Sequence, residues 1–77
     1  MPKISDLIIR IEAAKDQNEA FIRDNMVFLP RLHNAFKHPV GNYELTRLGI
    51  ELITNCIEIV LHNATIQSLK EQGDEDD

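Results

Sequence analysis

The segment from Tyr43 to about Glu71 reads as one long helix with too much apolar surface for a chain of 77 residues. At about 100° per residue from Leu45, the side chains of Leu48, Leu52, Cys56 and Ile59 cluster near zero. Ile50, Ile53, Ile57, Val60, Leu61 and Ala64 fall between about 60° and 160°. The apolar arc is then roughly 220° wide, against about 100° for a helix resting on one core. Such a helix needs more neighbours than one short chain supplies, so the expectation is an obligate homo-oligomer, a dimer or a higher bundle.

Other staples are scarce. A domain this small gains only about 3–5 kcal/mol from a single core. A lone cysteine, Cys56, excludes an internal disulfide, and no second cysteine joins His33, His38 or His62 in a zinc pattern. Cys56 is expected to be a buried structural residue, in keeping with a reducing compartment.

The formal charge of −5 is concentrated at one end. Glu71, Asp74, Glu75, Asp76 and Asp77 are five of the thirteen acids, leaving eight acids against eight Lys and Arg in residues 1–70. A neutral body with an acidic tail argues against a nucleic-acid mimic, which needs carboxylates spread over a folded face. Residues 25–43 form a basic shoulder, with Arg31, His33, Lys37 and His38 and no Asp or Glu. The start, with Asp6 before the short apolar run Leu7-Ile8-Ile9, does not read as a signal peptide, and no apolar run reaches the ~18 residues of a membrane span. Cytoplasmic is the expected location, with no membrane association.

Residues 4–24 predict a helix, with Ser5 as its N-cap and Asp6 near the positive end of the dipole. A heptad register set at Ile4 places Ile4, Ile11, Asn18, Asn25 and Leu32 at a, and Leu7, Ala14, Phe21, Phe28 and Ala35 at d. The consecutive Asn residues admit a pairing code, but the favoured expectation is that the stripe rotates at Asn18 and breaks at Asn25. Asn25 then caps a short helix of about residues 26–37, with Pro30 just past its first turn; a single helix kinked at Pro30 is the alternative. Pro39 and Gly41 end this arm, and Asn42 caps the last helix. Residues 74–77 are expected to be a disordered acidic tail that keeps the assembly in solution or docks on the basic shoulder.

Chemistry is hard to find. Glu58 and His62 have an i, i+4 spacing that suits a metal, but with Glu51 and Asn55 they read more simply as the wetted stripe of the helix. No glycine-rich phosphate loop is present, although the helix start at Asn42 beside Lys37 and His38 is a conceivable anion site. As a DNA-recognition helix, the last helix mixes Arg47 and Lys70 with Glu44, Glu51 and Glu58 and would repel phosphates as much as attract them.

The reading is therefore an all-α hairpin or bundle, with two long helices and a short one between, forming one domain over residues 1–73. No catalytic residue, metal or cofactor is assigned. The expected function is that of a non-enzymatic interaction protein, an adaptor, antagonist or regulatory subunit that binds another protein as a homo-oligomer. The subunit contact is placed at Ile50, Ile53, Ile57, Leu61 and Ala64, and a partner or anion surface at Phe28, Arg31, His33, Lys37, His38 and Tyr43. A second patch, Phe28, Leu29, Leu32 and Phe36, is also expected to be exposed for a partner. The alternatives are an oligomer that sequesters a phosphate-containing ligand and a weak nucleic-acid-binding regulator using residues 23–43.

Overall fold

A computed structural model describes residues 3–73, in the order α1 (Ile4–Asn25), a 3-10 turn (Met26–Phe28), α2 (Leu29–Lys37) and α3 (Tyr43–Gly73). The expected acidic tail lies outside the described residues. The first three elements follow one another without a gap and form one arm of a hairpin, and α3 forms the other. The arms are antiparallel, since Gly73 lies beside Ile4 at one end and Gly49 beside Phe36 near the other.

The heptad register does not rotate. Ile4, Leu7, Ile11, Ala14, Asn18, Phe21, Asn25, Phe28, Leu32 and Ala35 are all buried or half-buried, so the stripe continues through the 3-10 turn. The opposing arm follows the same 3-4 alternation: Leu45, Leu48, Leu52, Asn55, Ile59, His62, Ile66 and Leu69 turn inward. The expected rotation at Asn18 is thus overturned, because a partner for that polar residue stands on α3. Asn18 donates from Nδ2 to Asn55 Oδ1 at 2.7 Å and to Glu58 Oε1 at 3.2 Å.

Local punctuation differs from expectation in three places. Helix α1 starts one residue before Ser5, with Lys3 at the cap position and no side-chain cap bond. Asn25 does not cap the second helix; its Nδ2 donates back to the Phe21 carbonyl at 2.8 Å. The 3-10 turn then carries the chain past it and leaves Pro30 in the first turn of α2, where a missing N–H removes no helical bond. The loop behaves as read: His38 leaves the helical region at φ −133° and Gly41 takes φ +85°. Asn42 gives its carbonyl to the Thr46 N–H, while its side-chain amide donates to the His38 carbonyl.

Two arms make a thin core. Among the described residues, the buried apolar side chains are Leu32, Ala35, Leu52 and Ile66. The molecule measures 55 × 19 × 17 Å with a radius of gyration of 16.8 Å, where a compact fold of this length would have about 11.5 Å. Its accessible surface is 5902 Å², against about 4,800 Å² for a typical monomer of the same mass.

Candidate functional site

The seam between the arms has two unlike flanks. In an antiparallel pair the e positions of the two helices lie on one side of the seam and the g positions on the other. On the g side stand Arg10, Gln17, Asp24 and Arg31 with Glu51, Glu58, Thr65 and Gln72, a wetted surface. On the e side, towards the loop, Ile22, Leu29 and Phe36 face Gly49 and Cys56, with Met26, His33, Ile53 and Ile57 beyond them. These residues line one apolar groove of about 400 Å³.

Gly49 sets the floor of this groove. A Cβ at that position would lie 2.5 Å from Phe36 Cζ, so only glycine admits the ring where it rests. Phe36 nonetheless remains 46% exposed, because nothing covers its outer face. Cys56, expected to be buried, is exposed. Its position in the apolar arc is as read, but Ile22 and Leu29 across the groove leave it open to solvent.

Of the residues expected at the subunit contact, Ile53 and Ile57 line the groove, and Ile50, Leu61 and Ala64 lie outside it on the same helix. Ile50, Ile53, Ile57 and Leu61 are 53–58% exposed, and Ala64 is exposed as well. The residues of the basic shoulder are spread more widely. Phe28 turns half-buried into the seam with Arg31 Cζ 5.9 Å from its ring centroid, and His33 lines the groove. Lys37, His38 and Tyr43 stand exposed around the loop, next to Val40, which is 95% exposed. The patch Phe28, Leu29, Leu32 and Phe36 is not one exposed surface, since Leu32 is 3% exposed at an a position. An acid, Glu44, occupies the first turn of α3 and opposes anion binding there.

The polar stripe Glu51, Asn55, Glu58 and His62 is split by the fold. Glu51 and Glu58 reach solvent, with Glu51 3.5 Å from Arg47, while Asn55 and His62 enter the seam. Lys15 Nζ donates to Asn63 Oδ1 at 3.0 Å across the arms. Asn18 Oδ1 and His62 Nδ1 are buried without a hydrogen-bond partner among the described residues. Among the described residues, no three His, Cys, Asp or Glu side chains gather where they could hold a metal ion. No described helix is long and apolar enough to cross a membrane.

Compared with known protein families, curated proteins and solved structures, the chain has no match. The groove and the loop end are therefore interpreted from their own chemistry. Sequence reasoning missed that Asn18, Asn55 and Glu58 form one unit. The signal was present in the unbroken 3-4 spacing from Leu45 to Leu69, read together with that from Ile4 to Ala35.

Proposed function

We propose that the protein is a non-enzymatic interaction protein, acting as a homo-oligomer that binds another protein as an adaptor, antagonist or regulatory subunit. One observation carries this reading: Ile50, Ile53, Ile57 and Leu61 form a continuous half-exposed row on α3 beside an apolar groove. Contiguous apolar surface of this kind marks an association site. The oligomer contact is Ile50, Ile53, Ile57, Leu61 and Ala64.

The second partner belongs at the loop end. Val40 and Tyr43 stand 95% and 73% exposed there, flanked by Lys37 and His38, with Arg31 and His33 one to two turns back along α2 and Phe28 packed beneath Arg31. The exposed pair Val40 and Tyr43 is the apolar anchor that such a partner would take. The immobilised full chain should retain from its native extract a protein that the Tyr43→Ala variant loses. Equal retention by both, or none by either, contradicts the reading.

A further inference from the structure

Resting on the homo-oligomer reading, we propose that the groove is filled by a second copy of this chain, pointing the opposite way, to give a closed four-helix dimer. Met26, Leu29, Phe36, Ile53 and Ile57 are each 45–54% exposed and line the groove together, with Ile50 equally exposed one turn before Ile53 on α3. A standard interface takes roughly 800 Å² from each partner, and the extended hairpin exposes surface of that order beyond what a compact chain of its mass would. The polar g flank gives a third copy no equivalent seat, so assembly closes at two.

Charge sets the direction. The groove ends at the loop among His33, Lys37 and His38, where residues 25–43 contain no acid. Its other end on α1 meets Glu12, Asp16 and Glu19, and the one cation among them, Lys15, is engaged by Asn63. Two hairpins pointing the same way would stack the basic ends on each other. A two-fold axis through the centre of the groove, near Leu29 and Ile53, brings the loop end of each copy to the acidic stretch of the other. In this arrangement Lys37 comes level with the stretch from Glu19 to Arg23 of the second copy, where Arg23 is engaged by Asp24 at 3.7 Å and Glu19 is the acid within reach.

The test labels Ser68 with a nitroxide after Ser68→Cys, in a Cys56→Ala background, and reads the distance between labels by dipolar spectroscopy. Ser68 is exposed on the flank away from the groove. The antiparallel dimer separates the two labels by about 45 Å along the axis, at 1.5 Å per residue. A same-direction dimer puts both labels at one height, separated by the width of the bundle, about two interaxial spacings or roughly 20 Å, plus the length of the labels. The short distance overturns the antiparallel arrangement while leaving the homo-oligomer intact. No coupling, with a monomeric mass by light scattering, overturns the homo-oligomer itself. Lys37→Glu and Glu19→Lys should each weaken the dimer several-fold, and the double variant should recover most of that loss. A double variant weaker than either single one contradicts the charge pairing.

Discussion

Asn18 on α1 donates through Nδ2 to Asn55 Oδ1 on α3 at 2.7 Å, in the middle of a largely apolar seam. Asn18 is only 8% exposed. A polar pair at seam positions lowers stability relative to leucines but penalises every other register, since a one-turn slip would strand both amides. The two arms of this hairpin are thereby held in one alignment.

A double-mutant cycle on Asn18→Ala and Asn55→Ala should give a coupling energy of about 1 kcal/mol. Urea unfolding at one fixed protein concentration measures it. Replacing both by leucine should raise the midpoint while broadening amide signals near the seam, as alternative registers become accessible. Purely additive single effects would remove the pair from the account.

Gly49 and Phe36 make a second coupled pair. Alanine in place of an interior helical glycine gains about 1 kcal/mol, but here the new Cβ meets the Phe36 ring. In the wild-type background the gain and the clash should cancel to within about 1 kcal/mol. In a Phe36→Leu background Gly49→Ala should stabilise by about the full propensity gain. Identical effects in both backgrounds would show that the ring does not rest on Gly49.

Pro30 should be nearly neutral. Its place in the first turn of α2 removes no helical hydrogen bond, so Pro30→Ala should alter stability by less than about 1 kcal/mol. A gain near 3 kcal/mol, the figure for a proline in a helix interior, would mean that the arm runs on as one strained helix.

Much of this architecture was legible from spacing. The long helices, the loop and the uncovered row from Ile50 to Leu61 follow from periodicity, from Pro39-Gly41 and from the width of the apolar arc. The fate of the Asn residues did not follow, because polarity at an a position reads as a break unless its mate is identified across the seam. Cys56 was misplaced for a related reason. Apolar surroundings on one helix do not bury a residue when it sits at the edge of the seam, in a groove that the facing arm leaves open. The Ser5 and Asn25 caps failed because capping preference is local, while seam packing fixed where each helix starts.

The apolar row on α3 is proposed as a subunit contact. Light scattering of the purified chain at micromolar concentration tests it most directly, with Ile57→Asp alongside. Ile57 is 54% exposed, so aspartate there spares the hairpin and burdens only the contact. The wild type should show twice the 8.8 kDa chain mass, and Ile57→Asp the chain mass with retained helical circular dichroism. A wild-type monomer that unfolds cooperatively at that concentration contradicts the subunit contact.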